Sequence, residues 1–480
     1  MNCRSVVVFV LTFAMAGWLH AQSPISISVD TLHPSAAIPA DYAGLSFELA
    51  QLLPDSNGVR YFRPDNQPLV ALFRTLGIKN LRVGGNTADR NVRRLPSHAD
   101  IDSLFAFAKV ADVKVIYCLR LHDGNAKEDA AVAKYIMEHY ADEVDSFSIG
   151  QEPNVYPKTT NWLGMVTPRP PYSDFAKRWK QFQKTIVAAV PNIKLCGPSV
   201  DDNPEWPQQF IRDFGHGYHV SLITTHLYPG RSGEKVASPE IGRDRMLTSD
   251  FTDAYQKLYD GFVPAARADG LPYRLEEANN YFNGGAMDVS DTFASALWGL
   301  DFMYWWAAHG AAGLNFHTGD KVAAGAELRP SKYTAYFSTP GGFLVRPLGY
   351  GIKAFDVGSH GMMVPATISN PDKLNVSVYA VVGDDKNIYV TVINKEHGQA
   401  AKDAEVSLTL DSSFTGAQMM ALTALNGNIT AKTGTTLGGS EISREGSWNG
   451  KWTDLASSQT TSVTVKVPAA SASIIRLNQH

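Results

Sequence analysis

Ser146-Phe147-Ser148-Ile149-Gly150-Gln151-Glu152-Pro153-Asn154 is a short apolar run that carries a carboxylate out to its end. A helix-period pattern precedes it and an irregular, proline-rich segment follows, so Glu152 falls where a buried strand gives way to a loop. Much later, Tyr273-Arg274-Leu275-Glu276-Glu277-Ala278-Asn279-Asn280 has the same form. In barrels of alternating strands and helices, chemistry sits at that carboxyl edge. The plain alternative is that each Glu is a solvated loop charge, and the pattern around the two stretches decides between them.

That pattern alternates strand and helix. Tyr42 to Glu48 reads as a first strand and Asn80 to Asn86 as a second. Ser97 then opens a helix with Asp100 placed for a capping box, and Ile101, Leu104, Phe105 and Ala108 form its buried stripe. Val113 to Leu119 is a third strand, rich in β-branched residues, and the run ending at Glu152 is the fourth. Ser173 is expected to cap a helix striped by Phe175, Trp179, Phe182 and Ile186, which Pro191 stops. Ile193 to Gly197, Val220 to His226 and Tyr273 to Glu277 follow as strands five to seven. Ser290 is expected to cap a long apolar helix through Phe293 and Leu297 to Trp306, and Gly313 to His317 is the eighth strand. This predicts an α/β fold, a (β/α)8 TIM barrel. A doubly wound sheet would show a phosphate-binding Gly fingerprint after its first strand, and none is present.

Beyond about Gly351 the helix signals cease. Leu374, Val376 and Val378, then Ile388, Val390 and Val392, then Val406, Leu408 and Leu410, then Val463, Val465 and Val467 keep a period of two, with turn residues at Asp384-Asp385 and Asn426-Gly427. This is an all-β sandwich domain. The alternating strand Ile25 to Val29 lacks a helix partner and is expected to join it. The predicted division is residues 1–21 as a leader, 22–36 as the N-terminal sandwich strand, 37–351 as the barrel and 352–480 as the C-terminal sandwich. Thr430 to Gly450, rich in Gly, Ser and Thr, reads as a surface loop.

The 480 residues and 52.3 kDa suit a barrel plus a smaller domain, and a net charge of -4 gives no basic field for nucleic acid or an anionic membrane. Arg4, the apolar run from Val6 to Trp18 and the small-residue ending at Leu19-His20-Ala21 read as a secretory signal peptide, implying a secreted or periplasmic protein. Cys118 and Cys196 lie in apolar strand-like runs and read as buried thiols rather than a disulfide. Histidines and cysteines are scattered without zinc spacing, so neither metal nor cofactor is expected.

Glu152 and Glu277, on strands four and seven, would face each other across the barrel mouth. Paired carboxylates there suggest glycoside hydrolysis. A separation of about 5 to 5.5 Å implies a covalent glycosyl-enzyme with retained configuration, and about 6.5 to 9.5 Å implies inversion. Strand alternation would turn Glu276 away from Glu277, toward the strand-helix interface. Arg82 is a candidate to orient Glu277 and keep it ionised, or equally a structural bridge across the mouth. Tyr228 could hydrogen-bond Glu277 or be a plain rim aromatic. His226 reads as a satisfied core histidine.

Gly150-Gln151-Glu152-Pro153-Asn154 resembles the acid/base motif of clan A retaining glycosidases, Gly-Asn-Glu-Pro. Glu277-Ala278-Asn279-Asn280-Tyr281-Phe282-Asn283-Gly284-Gly285, with Ser290-Asp291-Thr292-Phe293 downstream, resembles the nucleophile segment of glycoside hydrolase family 79. Leu81 to Gly85, Gly44 to Glu48 and Val345 to Gly351 resemble the same family. The resemblance implies a barrel with a sandwich built from both chain ends. It implies a retaining β-glucuronidase acting on glucuronides or uronate-containing glycans by double displacement, Glu152 as acid/base and Glu277 as nucleophile. The acid/base would carry a raised pKa in the free enzyme. Glu48 and Asp89 match the family's hydroxyl-binding acids, and Tyr333 the contact to the uronate carboxylate. Gln151 stands where the family has an Asn that binds the sugar 2-OH, a longer side chain that moves the amide. The alternatives are another clan A glycosidase, of xylosidase or arabinofuranosidase type, and a non-catalytic carbohydrate-binding homologue.

Overall fold

A computed structural model describes residues 23–90, 94–157, 169–324, 327–456 and 461–479; the expected leader, residues 1–21, and Cys3 lie outside them. Eight parallel strands close a barrel: Ala43–Glu48, Asn80–Gly84, Lys114–Leu119, Val144–Ile149, Leu195–Asp201, Val220–Leu227, Tyr273–Ala278 and Gly313–His317, the eighth pairing back to the first. These are the eight strands expected from sequence. Helices pack outside, and among the described residues none is long and apolar enough to cross a membrane.

The helix His98–Ala111 begins with the Ser97/Asp100 capping box. The other two expected caps are different. The helix Tyr172–Ala189 starts from Pro171, which puts Ser173 inside its first turn, and Phe293–Ala308 starts from Thr292. Ser290 instead takes the amide of Ala286 and donates to Asn280 Oδ1 at 2.6 Å, pinning the loop after the seventh strand. A local hydroxyl had two possible backbone targets, and the loop won.

Phe293–Ala308 is apolar all round because it is covered all round. One side meets the barrel and the other a large antiparallel sheet, where Tyr304 stacks on Tyr379 at 5.0 Å and Asp301 Oδ2 accepts from Lys395 Nζ at 2.7 Å. That sheet runs, in spatial order, Ala36–Ala37, Gly361–Val364, Val376–Gly383, Ile388–Asn394, Ser471–Asn478, Gly416–Ala424 and Thr435–Leu437. Against its outer face lies a four-stranded sheet of Ala366–Ser369, Ile25–Val29, Ala404–Leu410 and Ser462–Val467. Ile25, Ile27 and Val29 share a face with Val406, Leu408, Val463 and Val465, and together these pack against Val390, Val392, Ile475 and Leu477 of the large sheet. The N-terminal strand lies parallel to Ala404–Leu410 and antiparallel to Ala366–Ser369.

The stretch from Thr430 to Gly450 is not a free surface loop. Thr435–Leu437 extends the large sheet, Leu437 and Ile442 are buried, and Trp448 Nε1 donates to the Leu437 carbonyl at 3.1 Å. Its glycines serve tight turns around a few anchored apolar side chains, which composition alone does not reveal. Cys118 and Cys196 are free and buried.

Candidate active site

The fourth strand ends at Ile149, and two backbone turns bring the next carboxylate inward. Gly150 has φ +97°, a conformation L side chains rarely adopt, and a Cβ there would crowd Leu121 and the Tyr156 hydroxyl. Glu152 itself is left-handed at φ 47°, its N–H bonded to the Ser199 carbonyl at 2.8 Å. A non-glycine residue held this way marks stored strain, which concentrates at functional sites.

The seventh strand delivers Glu277 by a different device. On the sixth strand Thr225 faces Leu275 and the next residue, His226, faces Glu277; on the eighth, Leu314 faces Leu275 and Phe316 faces Ala278. The seventh strand thus carries one extra residue, a β-bulge. The bulge corrects the expectation for Glu276: alternation is broken, and Glu276 does not turn to the helices. It is fully buried, with Oε1 3.6 Å from His226 Nε2 and Oε2 3.9 Å from Cys196 Sγ.

Around Glu277 the expected partners assemble. Arg82 Nη1 donates to Oε2 at 2.7 Å, Gln151 Nε2 donates to the same oxygen at 3.1 Å, and the Tyr228 hydroxyl donates to Oε1 at 2.9 Å. Gln151 Oε1 in turn accepts from Arg82 Nη2. His317 stands 3.8 Å from Oε2. Burial opposes the charge on Glu277, but His317, His226 and Arg82 overcome it and hold the carboxyl far below the ordinary range.

Glu152 is bracketed by Arg90, paired to Oε2, and by His226 Nδ1, 3.1 Å from Oε1. Burial pushes its pKa up, but the His226 hydrogen bond and the Arg90 charge prevail, and the net shift is downward. This corrects the expected raised pKa. His226 is pushed the other way, to about 9: burial disfavours its charge, and Glu277, Glu152 and Glu276 together favour it more. His226 is therefore no inert core residue. Next to Glu152, Asp201 is raised to about 7 by burial and by the Glu152 charge.

A cavity of about 410 Å³ opens over the pair. Glu48, Glu152, Tyr228, Glu277 and Tyr333 line it, together with Asn86, Arg90, Arg169, Asp201, Asn283 and His317. Glu48 is nearly saturated: Oε2 takes the Thr87 N–H and hydroxyl, each at 2.8 Å, and Oε1 takes the Ala323 N–H at 2.9 Å. Gly85 is required beside it, since a Cβ would lie 2.4 Å from Glu48 Oε2. Asp89 does not reach the cavity; it accepts from the Gln151 N–H at 3.0 Å, from His122 N–H and from the Tyr156 hydroxyl, and so braces the Glu152 turn from behind. Gln151 is 1% exposed and also lies beneath the cavity wall. His317, Arg90 and Asp201 were missed as site residues. His317 ends the eighth strand as read from sequence, and that position was the readable signal; Asp201 was hidden because strand five runs on past Gly197 to Asp201.

Carboxylate oxygens of Glu152 and Glu277 and a ring nitrogen of His226 all lie within 4.8 Å of one another. Such a trio could hold a cation. Here one oxygen of each carboxylate is already charge-paired, to Arg90 and to Arg82.

The chain is thus an eight-stranded barrel joined to a β-sandwich, with paired carboxylates at the ends of strands four and seven. It superposes on a 4-O-α-L-rhamnosyl-β-D-glucuronidase from Fusarium oxysporum with TM-score 0.71 and 17% identity, over 94% of this chain and 100% of that one. It superposes on the GH51 arabinofuranosidase of Xanthomonas axonopodis with TM-score 0.67 and 15% identity, over 95% and 100%. No family model matches the chain. In sequence it is similar to rat heparanase, 26% identical over 221 residues, which are 43% of this chain and 38% of that protein. It is also similar to a β-glucuronidase of Neurospora crassa, 25% identical over 191 residues, 36% of this chain and 33% of that protein. The matched region spans little more than a third of those relatives. The sequence similarity is to proteins named heparanase and β-glucuronidase.

Proposed function

We propose that the chain is an exported retaining β-glucuronidase that works by double displacement. The observation that carries this is the closeness of the Glu152 and Glu277 carboxylates, with oxygens within 4.8 Å. Oxygens that close suit direct attack by Glu277 on a sugar whose leaving oxygen lies against Glu152. Glu277, kept ionised, attacks the anomeric carbon while Glu152 protonates the leaving oxygen. Glu152 then takes a proton from water, which releases the sugar from Glu277.

Uronate selection rests on the named relatives and on the cavity chemistry. The cavity lining includes Tyr333 and His317, their ring centroids 6.1 Å apart, and the Tyr333 phenol is a donor that a uronate carboxylate can accept from. The apolar leader supports export.

The test is turnover of aryl β-D-glucuronide beside the β-D-glucoside, β-D-xyloside and α-L-arabinofuranoside, with Glu277→Gln as control. Preference for the glucuronide, lost in the variant, is expected. Preference for a pentoside would overturn uronate recognition. Uronide binding without any turnover would indicate a binding protein.

A further inference from the structure

Glu276 has no place in the two-carboxylate mechanism, yet it is a fully buried carboxylate set inward by a bulge, one residue before Glu277. Such a group is costly unless its charge is used or paired. Its Oε1 lacks a hydrogen bond, as does His226 Nε2, and the two face each other at 3.6 Å. The other ring nitrogen of His226 is the one that meets Glu152, at 3.1 Å. Two carboxylates thus hold opposite edges of one buried imidazole.

We propose that Glu276 is a positioning residue for proton transfer: it orients His226 and keeps it protonated, so that the Glu152–His226 pair stores the proton delivered to the leaving oxygen. This deepens the functional reading above and rests on Glu152 being the acid/base. The resting pair then holds one proton, on the imidazole side of the Nδ1–Oε1 contact. As the glycosidic oxygen gains negative charge, that proton moves to Glu152 and on to the oxygen, leaving neutral imidazole. Attack by Glu277 simultaneously removes a negative charge near the ring, which lowers the affinity of His226 for the proton. In the second step the proton taken from water returns to the pair.

The groups facing His226 are Glu276 and Glu277 from the seventh strand, Glu152 from the turn after the fourth, and Asp201 from the fifth. Arg82 from the second strand acts on Glu276 and Glu277. Of the acids, Glu276 is the one that neither lines the cavity nor meets another ion at closer range than His226.

The experiment compares wild type, Glu276→Gln and Glu276→Asp in pH profiles of kcat/KM on phenyl and 2,4-dinitrophenyl β-D-glucuronide. Alongside it, the His226 imidazole is titrated by nitrogen NMR, which needs no turnover, with His226→Gln for assignment. In Glu276→Gln the imidazole should lose its proton at lower pH and the alkaline limb should move down with it. The phenyl substrate, which needs the acid, should lose about 100-fold more than the dinitrophenyl one. Glu276→Asp should restore the limb. An unmoved limb with an unchanged imidazole titration would overturn the proposal while leaving the two-carboxylate reading intact. Full phenyl turnover in Glu152→Ala would sink that reading and the proposal together.

Discussion

The side-chain amide of Gln151 donates to Glu277 Oε2 at 3.1 Å, sharing that oxygen with Arg82, while its own oxygen accepts from Arg82. The longer side chain thus closes a triangle with Arg82 and Glu277 beneath the cavity. Gln151→Asn shortens the side chain by one methylene and breaks at least one of the two contacts. Hydrogen bonds to charged groups contribute about 1.5–3 kcal/mol, so kcat should fall about 10- to 100-fold. The fall should be the same for a glycoside and its 2-deoxy analogue; a smaller fall for the analogue would show that Gln151 does touch the 2-OH.

Arg82 is wholly buried and meets Glu277 and Gln151. Removing one partner from a buried pair costs about 3–5 kcal/mol, so Arg82→Met should show a marked drop in Tm. Glu277 has a depressed pKa, so it stays ionised well into acid. Without the guanidinium its pKa rises, and the acid limb of kcat/KM should move to higher pH. A limb that stays put while Tm falls would make Arg82 a purely structural bridge.

His226 gives stability an opposite dependence. Its folded pKa, about 9, lies above the ordinary 6.5, so its contribution is full below pH 6.5 and is lost as pH rises toward 9. Thermal melts should therefore fall across that window, and His226→Gln should flatten the slope. A wild-type melting curve level from pH 6.5 to 9 would refute this account.

The barrel was legible because each of its strands is a short apolar run with a helix-period segment beside it, and the N-terminal strand because Ile25, Ile27 and Val29 alternate without one. The site was only half legible. Glu152, Glu277, Arg82 and Tyr228 stand at or near strand ends, a position that sequence shows. Glu276 and His226 were misread because a bulge shifts register by one residue, and no residue type between Leu275 and Ala278 announces it. Asp89 was assigned to a sugar hydroxyl because it matches the family's hydroxyl-binding acids. The chain instead folds it back onto three donors. The lowered pKa of Glu152 needed Arg90, whose approach depends on the short helix Asn86–Asp89, invisible to periodicity at four residues.

That helix leads to the last prediction. Arg90 Nη2 bonds both Glu152 Oε2 and Asn86 Oδ1, and it lines the cavity, so it sits beside the oxygen free of His226. Arg90→Met removes a cation from that oxygen and leaves the His226 contact in place. The pKa of Glu152 should then rise toward the ordinary carboxylate range or above, because burial is no longer fully opposed. The two half-reactions should respond in opposite senses. Glycosylation by substrates with poor leaving groups gains from a more readily protonated Glu152, whereas deglycosylation needs the ionised form as base. With dinitrophenyl glucuronide, where release of the sugar limits turnover, the acid limb of kcat should move to higher pH. With the phenyl substrate, kcat/KM near neutral pH should hold or rise. Equal losses on both substrates with no movement of either limb would show that Arg90 serves only to build the cavity wall.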